Sequence, residues 1–176
     1  GHQHAYLIFR SLCNQTAAAL NCAPYGFAYM RADRPQELEP LFGTARSFFP
    51  QSPGSLGERL HAAFERFFRN GTRAVCCIGC DCPAVRAADI DRAFGHLREG
   101  VDVVLGPATD GGYWLVACTP QGLPVFSATQ WSSSGLLEET RSILHDTGLS
   151  YRLLETKSDI DTVDDYMKCK QERNRR

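Results

Sequence analysis

Short apolar runs alternate with longer amphipathic segments along nearly the whole chain, and this alternation constrains the fold more than any other feature. Leu56, Leu60, Phe64 and Phe68 recur at every fourth position beside Ala63 and Phe67, which predicts a helix from Leu56 that stops at Asn70-Gly71. Ile90, Ala93, Phe94 and Leu97 predict a second over Ala87–Glu99, with Gly100 as its stop. Helical spacing also marks Tyr6–Leu20, with Asn21 as its stop. Shorter helices are expected at Glu37–Phe42, at Gly135–His145 with Ser134 as cap, and at Thr162–Lys170. Between them Tyr25–Met30, Arg46–Phe49, Ala74–Ile78, Val101–Leu105, Tyr113–Cys118 and Tyr151–Leu154 read as strands, and the Pro, Gly and Ser of Pro50–Ser55 as a loop. No internal repeat is visible. The pattern predicts an α/β three-layer sandwich with a mostly parallel central sheet, one domain over residues 1–176 with a basic tail at 171–176.

A chain of 176 residues with 43% hydrophobic residues can bury a core without metal or disulfide. Its formal charge of −1 and lack of a basic stripe give no electrostatic footprint for nucleic acid. No apolar stretch is long enough to span a membrane and no secretory leader is visible, so a cytoplasmic protein with reduced thiols is expected. The cysteines at 76, 77, 80 and 82 lack the paired spacing of a zinc knuckle. Cys76 and Cys77 sit in an apolar run where cysteine serves as a small hydrophobe.

Ligands of open parallel sheets bind beyond the carboxyl ends of the strands, and three carboxylate-bearing segments fall there. Asp81 lies between Gly79 and Pro83. Asp159 and Asp161 are two apart and, in an extended segment, would share a face toward one hard cation such as Mg²⁺; the competing reading makes Asp161 a helix N-cap and Asp159 a turn residue. Asp110-Gly111-Gly112 reads either as a hairpin turn or as a place where a ligand approaches the backbone. Gly54, Gly57 and Arg59 stand at a helix N-terminus, where anions are favoured, although Arg59 could instead pair with Glu58. Gly57 in a first turn implies close packing or ligand approach. Trp131-Ser132-Ser133-Ser134 is a pocket-covering loop or an N-cap with its aromatic staple, and His61, His96 and His145 read as packing or surface residues.

Taken in order, Gln51…Gly54-Ser55-Leu56-Gly57-Glu58-Arg59-Leu60, Ile78-Gly79-Cys80-Asp81-Cys82-Pro83, Asp102–Leu115 with its Thr109-Asp110-Gly111-Gly112-Tyr113-Trp114, Trp131-Ser132 and Asp159-Ile160-Asp161-Thr162 resemble bacterial glycosyltransferase-A-fold transferases of the radical-SAM/selenodomain-associated type. The resemblance covers residues 5 to 168, approximately. It implies a nucleotide-diphospho-sugar transferase fold, more distantly related to 2-phospholactate and molybdenum-cofactor guanylyltransferases. It further implies Mg²⁺ or Mn²⁺ held by Asp81, Asp159 and Asp161, a nucleotide or nucleotide-sugar near Gln51, Gly54 and Arg59, and Asp110, Gly111 and Gly112 facing the acceptor or sugar, with Asp110 as the catalytic carboxylate. Members of that group open on a strand and a glycine-rich phosphate loop with no counterpart here, so the chain is expected to start inside the domain. Loss of that loop removes several charge-assisted hydrogen bonds to phosphate, each worth about 1.5–3 kcal/mol. The alternative is a non-catalytic scaffold that binds a small molecule or protein, as a homodimer sealing its sheet edge. A zinc module on the cysteine cluster is a third reading. Cys80 and Cys82 stand where Ser and an aliphatic residue are usual, and Trp114 where Tyr is usual.

Overall fold

A computed structural model describes residues 2–20, 25–29, 39–42, 45–160 and 162–173. Its elements are α1 (His2–Leu20), β1 (Gly26–Tyr29), α2 (Glu39–Phe42), β2 (Ser47–Pro50), α3 (Leu56–Arg69), β3 (Val75–Ile78), α4 (Ala87–Arg98), β4 (Val103–Pro107), β5 (Tyr113–Cys118), a 3₁₀ helix (Pro120–Ser127), α5 (Leu136–Asp146), β6 (Tyr151–Leu153) and α6 (Val163–Arg173). None of the described helices is long and apolar enough to cross a membrane.

The main sheet has the order β3-β5-β4-β6, with β4 parallel to β6 and β5 antiparallel to both β3 and β4. Three strands therefore run one way and β5 runs back between two of them. β1 and β2 pair in parallel in a separate two-stranded sheet. β4 begins later than the apolar run suggests, because the Val101 N–H is taken by His96 O to finish α4. The 3₁₀ helix had no sequence counterpart. Its first residue is Pro120 and Pro124 lies inside it, residues that read as loop although Pro is well placed to start a short helix.

Alternating side chains send the sheet's two faces into two apolar layers. Val104, Leu115 and Ala117 pack with Ile90, Ala93 and Leu97 of α4 and Ala19 of α1. Val103, Leu105, Val116 and Cys118 pack with Phe64 of α3, Val125 and Phe126 of the 3₁₀ helix and Leu144 of α5. This is the three-layer α/β arrangement. One irregularity matters for the site: the register of β4 on β5 shifts between Gly106 and Pro107, so that Trp114 is an extra residue and turns to the same side as Leu115. Gly106 is what admits it, since a Cβ there would lie 2.5 Å from the Trp114 ring.

α3 starts on a capping box. Ser55 Oγ accepts the Glu58 N–H at 3.3 Å while Glu58 Oε2 accepts the Ser55 N–H at 2.7 Å. Glu58 is thus committed to the cap, and its pKa is lowered by the Ser55 backbone N–H and hydroxyl. Ser55→Ala should cost about 1 kcal/mol in urea unfolding; an unchanged midpoint would mean the cap contributes nothing.

Candidate functional site

One cavity of about 680 Å³ runs along β3 between β5 and α3 and takes in residues of the loops that follow β3, β4 and β6. Asp81 follows β3. Its Oδ1 folds back over Gly79, where a Cβ would stand 2.5 Å from that oxygen. The Asp81 carbonyl accepts the Ile160 N–H at 3.0 Å, which joins this loop to the segment bearing Asp159. Asp81, Asp110 and Asp159 all line the cavity.

Asp110 lies in the β4–β5 hairpin, where its Oδ1 accepts the Gly112 N–H at 2.9 Å and the Ala108 N–H bonds Gly112 O at 2.9 Å. The hairpin reading is therefore correct for the backbone, while the same turn presents Asp110 and Gly112 to the cavity. Gly111 has φ 92°, and a Cβ there would overlap the Ser134 backbone. It is a structural glycine outside the lining.

The opposite wall comes from α3 and the segment before it. Arg59 Nη1 donates to Gln51 Oε1 at 2.9 Å and Nε to Ser55 O at 3.3 Å, so Arg59 turns toward Gln51 in the cavity and away from Glu58. Gly54, with φ 117°, makes the turn into the capping box and does not line the cavity. The third wall is Tyr113, Trp131, Ser132 and Ser133. Trp131 meets the Tyr113 ring edge-on at 5.8 Å, stacks on Phe126 at 6.4 Å, and packs against Gly57, where a Cβ would overlap the indole. Close packing thus explains Gly57. Ser132 adopts φ 66°, a left-handed conformation uncommon for a residue with a side chain. Among the described residues the Trp131 Nε1 is buried with no hydrogen-bond partner, and it faces Gly57 of α3.

Asp161 lies outside the described residues. The cap of α6 is Thr162: its Oγ1 accepts the Asp165 N–H at 3.2 Å and the Asp165 carboxylate accepts the Thr162 N–H at 3.0 Å. Ser134 does not cap α5, since Gly135 occupies that position without a side-chain bond. Glu139 instead reaches back to the Thr129 and Gln130 N–H groups at 3.0 and 2.8 Å, fixing the loop that leads to Trp131. Among the described residues no three His, Cys, Asp or Glu side chains converge as a metal cage. Hard divalent cations are commonly held by only one or two carboxylates, and Asp81 and Asp159 both line the cavity.

The thiols beside Asp81 are held neutral. Hydrogen bonding to Cys13 followed by burial pushes Cys80 well up, and burial pushes Cys82 to about 11 and Cys77 to about 11. Burial likewise raises the Tyr113 hydroxyl. His61 packs edge-on against Phe126, while His96 and His145 face Glu99 and Asp146 on helix surfaces.

A family model described as "Uncharacterized protein conserved in bacteria (DUF2064)" matches residues 13–133. No curated protein matches. Among solved structures, a protein from Desulfovibrio desulfuricans G20 provisionally described as a nucleotide-diphospho-sugar transferase is 26% identical with a TM-score of 0.85, over 93% of this chain and 73% of that one. A CMP:2-keto-3-deoxy-manno-octonic acid synthetase complexed with CTP is 13% identical with a TM-score of 0.62, over 93% and 88% of the two chains. A cytidylyltransferase from Leptospira borgpetersenii serovar Hardjo-bovis is 12% identical with a TM-score of 0.60, over 90% and 74%. The fold is that of nucleotide-diphospho-sugar and nucleotidyl transferases.

Proposed function

Because this chain belongs to the DUF2064 family of bacterial proteins, we propose that its cavity binds a nucleotide or nucleotide-sugar and a divalent cation, and transfers the sugar or nucleotidyl group to a small acceptor. The observation that carries this reading is that Asp81, Asp110 and Asp159, from the loops after β3, β4 and β6, line one cavity with Arg59 and Gln51. Asp81 and Asp159, with Asp161 close to Asp159 in sequence, would hold Mg²⁺ or Mn²⁺. The cation, when bound, neutralises the diphosphate and acts as a Lewis acid toward the leaving group.

The chain's own residues do the rest by positioning. Arg59, oriented by Gln51, sets positive charge against the phosphates. Asp110, oriented by the Gly112 N–H, accepts a hydrogen bond from the acceptor hydroxyl and takes its proton as the new bond forms. Tyr113 and Trp131 provide an aromatic wall that excludes water.

Thermal unfolding with Mn²⁺ and a panel of nucleoside triphosphates and nucleotide-sugars tests this. A ligand at 100 times its Kd stabilises by about 2.7 kcal/mol, a rise of about 5–10 °C for a chain of this size. The rise should require Mn²⁺ and disappear in Asp81→Asn. No response to any of these ligands, in a chain that melts cooperatively, would reject the reading. The separation of β1–β2 from the four-stranded sheet favours a second reading, a non-catalytic binding scaffold that dimerises along a sheet edge. Light scattering that gives a dimer, with no nucleotide response, would support it.

A further inference from the structure

We propose that Lys157 is a positioning residue that holds the loops of Asp81 and Asp159 in register with the Asp110 turn; this rests on reading those carboxylates as cation ligands. Its ammonium stands 3.1 Å from Asp89 Oδ2, donates to Ala84 O at 3.2 Å and lies over the Trp114 ring, 5.2 Å from its centroid. The two side chains of the ion pair are only 9% and 11% exposed. A pair this buried gives up so much hydration that its attraction adds little net stability, whereas loss of one member leaves an uncompensated charge. What the pair supplies is geometry.

Each contact of Lys157 reaches a different segment. Ala84 belongs to the loop that carries Asp81, and Asp89, in the first turn of α4, fixes the end of that loop by accepting the Arg86 N–H at 2.9 Å. Trp114 stands on β5 just past the Asp110 turn, aimed at the ammonium by the β-bulge. The backbone of Lys157 reaches the near side of the same turn: its N–H bonds Pro107 O at 3.0 Å, and its carbonyl accepts the Thr109 N–H at 3.0 Å. Asp159 follows two residues later, and Ile160 closes the circuit through its bond to Asp81 O. One residue thus ties together three segments that leave three different strands, each bearing one of the cavity's carboxylates: its backbone holds the turn after β4, and its ammonium holds the loop after β3 and the Trp114 ring. Without the ammonium, the backbone bonds remain but the loop of Asp81 loses its side-chain tie to the segment of Asp159.

Lys157→Met keeps the aliphatic stem over Trp114 and the backbone bonds to Pro107 and Thr109, and removes the charge, the ion pair with Asp89 and the hydrogen bond to Ala84 O. Mn²⁺ affinity is measured by calorimetry, and exchange of the Ile160 amide by NMR, at a temperature where wild type and variant are both folded. The expected result is a loss of Mn²⁺ affinity of about 10-fold or more, as for other supports of metal ligands, with faster exchange at Ile160. Leu144→Ala, a cavity variant in α5 on the other face of the sheet, serves as the stability control and should keep Mn²⁺ affinity within about twofold. If Lys157→Met does not fold, Asp89→Asn carries the same test through the partner, with a weakening of about threefold or more expected. Wild-type affinity and Ile160 exchange retained in a folded variant overturn the inference, as does an equal loss in Leu144→Ala. A wild-type chain that takes no Mn²⁺ rejects the cation reading instead. In that case faster Ile160 exchange in Lys157→Met still supports Lys157 as the tie between the loops, and unchanged exchange overturns it.

Discussion

Gly111→Ala is expected to destabilise the protein by about 2–5 kcal/mol, the combined effect of a left-handed backbone and an overpacked contact. Gly111 has φ 92°, and the added Cβ would meet backbone of Ser134, which cannot rotate aside as a side chain could. The residue also joins two parts of the site. Its N–H bonds Ala108 O within the hairpin at 3.2 Å, and its carbonyl accepts the Leu137 N–H at the start of α5 at 3.0 Å. Relieving the overlap therefore moves the Asp110 turn away from the loop of Trp131. Urea denaturation should show the lost stability, and any nucleotide-dependent rise in Tm should fall with it. A change below about 1 kcal/mol would mean that the turn and the Ser134 segment are not packed as described.

Phe64→Ala should cost about 3–5 kcal/mol, the usual penalty for deleting a buried phenyl ring. Phe64 is 1% exposed and meets the rings of Phe126 at 4.7 Å and Phe68 at 6.2 Å. It seats α3 on the sheet beneath Val103 and Val116. Since α3 carries Arg59 on its first turn, a poorly seated helix also displaces the cation from Gln51. Calorimetry should record a drop in Tm on the order of 10 °C. A loss of less than about 2 kcal/mol would show that α3 is anchored elsewhere.

The elements set by local pattern were legible in the sequence. The four-residue recurrence of Leu56, Leu60, Phe64 and Phe68 places α3, and the apolar run Tyr113–Cys118 is β5 as read. Boundaries that depend on competition for a backbone group were less so. The edge of β4 moved because α4 claims the Val101 N–H, and the start of α5 moved because Glu139 rather than Ser134 organises the preceding loop. In the site, Arg59, Asp81, Asp110, Gly112 and Asp159 were nameable because each lies beside an element end with a turn signature, and Gln51 through the family resemblance alone; the fold brings them to one cavity. Gly54 and Gly111 were also nameable, but their glycine character answers to the backbone: one makes a turn and the other avoids a clash. Lys157 carried no signal at all. Its partners Ala84, Asp89 and Trp114 lie far from it in sequence and meet it only through the sheet.

The placement of Trp114 and Trp131 has a practical consequence. They are the only two tryptophans in the chain, and both line the cavity. The tryptophan fluorescence of this protein, excited selectively over tyrosine, is therefore emitted wholly from the walls of this cavity, with no background from distant indoles. Ligand entering against Trp131 and displacement of the Lys157 ammonium from the Trp114 ring should change that emission separately. Trp131→Phe and Trp114→Phe would each leave a single built-in reporter, one for occupancy and one for the alignment of the loops.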